Sequence, residues 1–251
     1  MTVDQPRIAP HTVAQRIIVP LDLPSAQAAL DLVDAIPQVS FWKLGLELFV
    51  SAGPGLIQDL KARQKRIFLD LKFHDIPNTM AGACAAAANY GVDLLTVHTA
   101  AGKEALVAAQ TAAIAGAEAA GVAPPVVLGV TLLTSIAPQS LAAELRIPLK
   151  AADYTLQMAL LAQDSGLTGI VCSPQEVTQL RQFLPANFVL VCPGVRPIGA
   201  SSQDQRRTLT PIQALQAGAT YLVIGRPITA APDPAAAFQR ICEACSVAIA
   251  P

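Results

Sequence analysis

Eight short β-rich runs alternate with helix-forming stretches along this chain, and that alternation restricts the fold more than any other feature. The runs fall at 16–23, 41–46, 66–73, 93–98, 126–133, 169–173, 188–193 and 221–225. Helix formers gather between and after them, at 25–36, 55–63, 80–90, 103–120, 151–165, 174–183, 211–217 and 233–248. Several runs are almost continuously apolar, as strands are when a parallel sheet is covered on both faces. Strand, helix, strand in that order gives right-handed crossover units. Eight units in 251 residues match the ~250 residues of a closed (β/α)8 barrel. The expected fold is α/β, one TIM barrel over 1–251 with 1–12 as an N-terminal extension. A doubly wound open sheet is the competing architecture. Against it, no Gly-x-Gly-x-x-Gly or Walker-type loop follows any run. The longest pieces without an assigned element are 133–150 and 194–210, long enough to carry function.

Composition supports a large core and gives no electrostatic case for a polyanionic partner. Hydrophobic residues make up 53% and charged residues 14%, which argues against disorder. A net charge of -1 offers nothing to nucleic acid or to acidic membranes. No apolar run reaches ~18 residues, so no membrane span is expected. The first ten residues lack a basic run followed by an apolar stretch, so no signal peptide is expected. The five cysteines are an odd, scattered set. Cys172 and Cys192 sit in strand runs and read as small core residues. Cys242 and Cys245 form a lone Cys-x-x-Cys in a helical stretch, with no second pair for zinc and no preceding strand for redox chemistry. A reduced, cytoplasmic protein is expected.

Charge then enters the third run in a telling place. Phe68-Leu-Asp-Leu-Lys-Phe-His-Asp-Ile-Pro-Asn-Thr79 puts Asp70, Lys72 and Asp75 within six residues, directly after an apolar segment. Residues i and i+2 of a strand share a face, so Asp70 and Lys72 point to one side. Buried charge is costly unless paired. An acid–base–acid row at a strand end pairs itself and keeps an ammonium poised in a cleft, which suits proton delivery or carbanion stabilisation. The plainer alternative is an ion pair that only holds the strand end.

Barrel active sites lie at the C-terminal ends of the strands. The first run ends in Pro20-Leu-Asp22, the second carries Lys43, the fifth ends in Leu133-Thr-Ser135, the seventh in Cys192-Pro-Gly-Val-Arg196 and the eighth in Gly225-Arg-Pro227. Together they predict a charged cluster of Lys43, Asp70, Lys72 and Asp75 with Asp22 nearby. Glycines after the last two runs let backbone N–H groups approach an anion. Arg196 and Arg226 can each offer a phosphate a planar fork of donors. Gln205 adds a neutral donor, whereas Arg206 and Arg207 read as solvated loop charges. Of the histidines, His11 reads as a tail residue, and His74 and His98 show no two-histidine metal spacing. His98 with Asp70 could hold a divalent ion, but Lys43 and Lys72 would repel it, so the site reads as metal-free.

These motifs resemble the orotidine 5'-phosphate decarboxylase family, in its bacterial branch, over nearly the whole chain. Asp70-Leu-Lys-Phe-His-Asp-Ile-Pro-Asn-Thr79 fits the family signature Asp-x-Lys-x-x-Asp-Ile-x-x-Thr. Pro193-Gly-Val-Arg196, Asp204-Gln-Arg-Arg207 and Ile224-Gly-Arg-Pro227 fit its phosphate-end motifs. The resemblance implies decarboxylation of orotidine 5'-monophosphate to uridine 5'-monophosphate, the last step of de novo pyrimidine synthesis. It also implies a homodimer, shared active sites and no cofactor. Carried over, Lys72 protonates C6, and Asp70 lies against the substrate carboxylate. Lys43 and Asp75 complete the charge row, with Asp75 and Thr79 reaching the neighbouring subunit's site. Asp22 and Lys43 contact the ribose, Thr134 and Ser135 the pyrimidine, and Arg196, Gln205, Gly225 and Arg226 the phosphate. The alternatives are a metal-dependent sugar-phosphate decarboxylase or aldolase on the same barrel, and a nucleotide-binding protein without catalysis.

Overall fold

In the computed structural model, which describes residues 12–196 and 209–248, all eight runs are strands of one sheet that closes on itself. They are β1 (Ile17–Leu21), β2 (Phe41–Gly45), β3 (Arg66–Phe73), β4 (Leu94–His98), β5 (Val126–Val130), β6 (Gly169–Val171), β7 (Val189–Cys192) and β8 (Tyr221–Val223). Each is parallel to its neighbours in chain order, and β8 returns to β1 through Ile17↔Leu222 and Ile18↔Val223. The open-sheet alternative is thereby excluded.

The two-residue period of a strand sorts the apolar side chains into two layers. Ile18, Phe41, Phe68, Leu94, Leu128, Val191 and Tyr221 fill the barrel interior. Their chain neighbours, among them Ile17, Trp42, Leu69, Leu95, Leu190 and Leu222, face outward and pack in the larger cluster with the helices. The N-terminal mouth is closed by Arg66, whose guanidinium carbon lies 4.1 Å from the centre of the Phe41 ring. The same group donates to Asp93 at 3.2 Å and to the Tyr221 hydroxyl at 3.3 Å. This half-buried cation has an aromatic face, a carboxylate and a hydroxyl, so its charge is compensated.

Helices occupy the expected stretches, with one change of form. The 174–183 stretch is a 3-10 turn, Pro174–Glu176, running into the short helix Val177–Leu180. Starts follow local chemistry: the Ser25 hydroxyl accepts from Ala28 N–H, and Thr210 and Gln213 form a reciprocal capping box. Several helices were not anticipated: Val13–Arg16, Leu46–Ala52, Pro138–Ala143 and Arg226–Thr229. The third corrects the expectation that 133–150 has no element of its own. All are four to seven residues long, too short for a helical period to register in sequence. None of the helices among the described residues is long and apolar enough to cross a membrane.

β3 carries the one irregularity in the barrel that matters most for the site. It pairs with β4 as Leu69↔Leu95 and then as Phe73↔Val97, so four steps of β3 oppose two of β4. Within that bulge Lys72 adopts φ 51°, a left-handed conformation uncommon outside glycine.

Candidate active site

Following the inward-facing positions up each strand turns apolar filling into charge. Above Ile18 come Pro20 and Asp22; above Phe41 comes Lys43; above Phe68 come Asp70 and Lys72. All five upper residues line one cavity of about 600 Å³ at the C-terminal mouth. The parity that packs the barrel thus delivers the charges to its open end.

Four of them form an alternating row. Lys43 Nζ lies 3.1 Å from Asp22 Oδ1 and 3.6 Å from Asp70 Oδ2, and Lys72 Nζ lies 2.9 Å from Asp70 Oδ1. The Lys43 and Asp70 side chains are each 12% exposed, against 64% for Asp22 and 30% for Lys72, so the middle of the row is the driest and both ends are more open to solvent. Two carboxylates balance two ammoniums. Lys43 has little room beside it: a methyl group on Gly45 would come within 3.0 Å of its Nζ.

Sequence reasoning missed Thr96. It is fully buried on β4, donates its hydroxyl to Asp70 Oδ1 at 3.0 Å and accepts the Lys72 backbone N–H at 2.9 Å. The available signal was its inward parity, two residues after Leu94 on an otherwise apolar strand. Threonine is at home in strands, so its polarity alone did not mark it.

The remaining predicted residues divide into three groups. Arg196, Arg226, Gly225, Thr134 and Ser135 line the cavity with the charge row. Thr134 is buried, whereas Ser135 is exposed. Arg196 holds its place partly by donating to its neighbour's carbonyl, Val195 O, at 2.9 Å. Gly225 leaves little room for a side chain, since a Cβ there would lie 3.0 Å from Pro20 Cγ and the proline ring would have to give way. It also starts the Arg226–Thr229 helix by accepting from Ile228 N–H at 2.7 Å. Asp75 and Thr79 are exposed and do not line the cavity of their own chain. Asp75 instead accepts the Ile76 N–H at 2.6 Å. Gln205, with Arg206 and Arg207, lies outside the described residues, as does His11.

His74 and His98 stack with ring centres 5.0 Å apart. Burial, then the neighbouring His74 and Lys72, lower the His98 pKa below its usual 6.5. Among the described residues no group of three His, Cys, Asp or Glu is arranged to hold a metal ion. The cysteines are free thiols; Cys172 and Cys192 lie 3.9 Å apart in the core, and burial pushes Cys242 up to about 11.

A cavity with an ion-paired ammonium at one part of its rim and two guanidinium groups at another can hold a dianion and place a proton donor at a distance from it. Comparison with known proteins agrees with that chemistry. The family model described as "Orotidine 5'-phosphate decarboxylase / HUMPS family" matches residues 15–241. The chain is 60% identical over 228 residues to an orotidine 5'-phosphate decarboxylase of Nostoc sp., covering 91% of this chain and 96% of that one. It is 48% identical over 227 residues to the enzyme of the same name from Moorella thermoacetica, covering 90% of each. The crystal structure of orotidine 5'-phosphate decarboxylase from Lactobacillus acidophilus superposes with a TM-score of 0.82 at 38% identity, covering 91% of this chain and 98% of that one.

Proposed function

The chain belongs to the orotidine 5'-phosphate decarboxylase / HUMPS family, and from that premise we propose that it decarboxylates orotidine 5'-monophosphate to uridine 5'-monophosphate. The observation that carries the proposal is the Asp22–Lys43–Asp70–Lys72 row in one cavity with Arg196 and Arg226. The name shared by the curated relatives favours this activity over the metal-dependent and non-catalytic alternatives.

The substrate's phosphate pairs with Arg196 and Arg226 and with backbone N–H groups beside Gly225, aided by Gln205. Its ribose meets Asp22 and Lys43, and its pyrimidine lies by Thr134 and Ser135. The C6 carboxylate then faces Asp70, and C6 faces Lys72 Nζ. As the C6–carboxylate bond breaks, CO₂ departs and the electron pair stays on C6. Lys72 stabilises that developing charge and donates its proton to C6. A fixed ammonium interacts more strongly with the carbanion than with the neutral ring carbon, so it lowers the barrier instead of merely tightening binding. The phosphate contacts, distant from C6, supply the binding energy that sets the carboxylate against Asp70. No cofactor enters this scheme.

The active form is a homodimer in the cytoplasm. Asp75 and Thr79 are exposed beside Ile76, which is 66% exposed, and Leu46 and Val50 add apolar surface at 56% and 81% exposure. In that dimer Asp75 and Thr79 serve the partner's cavity.

Absorbance change on adding orotidine 5'-monophosphate to the purified protein tests the activity. Turnover should proceed and survive EDTA. Absence of turnover sinks the proposal, and loss on chelation with recovery on magnesium addition moves it to the metal-dependent alternative.

A further inference from the structure

The bulge in β3 removes Lys72 from the regular ladder with β4, because Asp70, Leu71 and Lys72 have no β4 residues in register with them. A backbone N–H left so at a partly buried position needs another acceptor. Thr96 supplies it: its hydroxyl stands where a ladder carbonyl would, 2.9 Å from Lys72 N. A hydroxyl has one hydrogen to give. With a lone pair taken by Lys72, that hydrogen goes to Asp70 Oδ1 at 3.0 Å, the same oxygen that lies 2.9 Å from Lys72 Nζ. The contacts close a ring from Lys72 Nζ to Asp70, to Thr96, and back to the Lys72 main chain.

We propose that Thr96 is the positioning residue for proton transfer, one hydroxyl that both holds Lys72 in its left-handed conformation and fixes the Asp70 oxygen against which its ammonium rests. The proposal rests on the decarboxylase assignment for its consequence, though not for its geometry. Thr96 does not line the cavity, so it acts only through its two partners. Its side chain is completely enclosed and its branched Cβ restricts χ1, so the hydroxyl has one direction. An ammonium that must deliver a proton to one carbon loses rate steeply when displaced, whereas the arginines at the phosphate end are untouched. Loss of the hydroxyl should therefore appear in kcat and not in KM.

Thr96→Val keeps the shape and removes the hydroxyl; Thr96→Ser keeps the hydroxyl. For Val, kcat should fall about 10–100-fold, the scale of an ångström of misplacement, with KM within about threefold. For Ser, kcat should recover to within about fivefold of the wild type. In crystals of the Val variant the 2.9 Å Lys72–Asp70 contact should open, and in the Ser variant it should persist. A Val variant with kcat near wild type, a loss carried in KM, an equal loss in Ser, or a Val chain that fails to fold each overturns the proposal, the last by making the hydroxyl a stability element. A wild-type protein inert toward orotidine 5'-monophosphate would sink the functional assignment instead, and the crystal comparison would still decide the role of Thr96.

Discussion

Asp70 stands between two ammonium groups, and its neighbours decide how much charge the site can tolerate. With Lys43 at 3.6 Å on one oxygen and Lys72 at 2.9 Å on the other, its carboxylate is compensated before substrate arrives. Residues of this kind were legible in sequence because a charge inside an apolar strand has few explanations. Thr96 was not, because a β-branched hydroxyl residue in a strand has many. At the phosphate end, Arg226→Ala should weaken substrate binding by roughly 2–5 kcal/mol, the cost of truncating one partner of a desolvated pair. Uridine or orotidine, lacking the phosphate, should bind nearly alike to both proteins. Equal losses with and without phosphate, measured by calorimetry, would remove Arg226 from that role. His98 makes a separate prediction about pH. Its folded-state pKa is lowered from 6.5 by burial, His74 and Lys72. Between that lowered value and 6.5 the unfolded chain binds a proton that the folded chain refuses, so stability should fall as pH drops through the window. His98→Asn should flatten this part of the curve of melting temperature against pH. An unchanged slope would mean that other groups set it.

At the scale of elements, the strands were readable as near-continuous apolar runs, a direct result of burial on both faces. The short helices were not. Leu46–Ala52 follows β2 without a break and leaves Val50 in solvent, so neither a turn signal nor a helical apolar stripe announced it. The long helices Pro77–Asn89 and Lys103–Ala119 owe their fit to small side chains. Their axes approach so closely at Gly116 that a Cβ there would lie 2.5 Å from Ala85 O and 2.8 Å from Ala85 Cα. Backbone cannot yield as a side-chain tip can. Gly116→Ala should therefore destabilise by about 1–3 kcal/mol through overpacking, more than the ~1 kcal/mol that alanine gains over glycine in a helix. Thermal unfolding checks it, and a raised melting temperature would show that the two helices can move apart.

The whole molecule converts strand order into a site. Closing eight parallel strands sets every C-terminal end on one rim, so residues from 22 to 226 meet in one cavity. What a single barrel leaves outside its own cavity is Asp75 with Thr79. If these complete the partner's site, Lys72→Ala and Asp75→Asn chains, each inactive alone, should complement when their subunits exchange. Half the dimers formed at random are mixed and each has one intact site of two, so roughly a quarter of wild-type activity should return in an isologous dimer. No recovery, with exchange verified by mass spectrometry, would confine Asp75 to its own chain. The central claim, that Lys72 delivers a proton to a carbanion left at C6, is tested most directly by running the reaction in D₂O and analysing the product by NMR. The wild type should release one CO₂ per turnover and form uridine 5'-monophosphate carrying a single deuteron at C6. Lys72→Ala should lose at least ~10³-fold in rate while remaining folded. Deuterium elsewhere on the ring, or a Lys72→Ala variant within tenfold of wild type, would contradict the account.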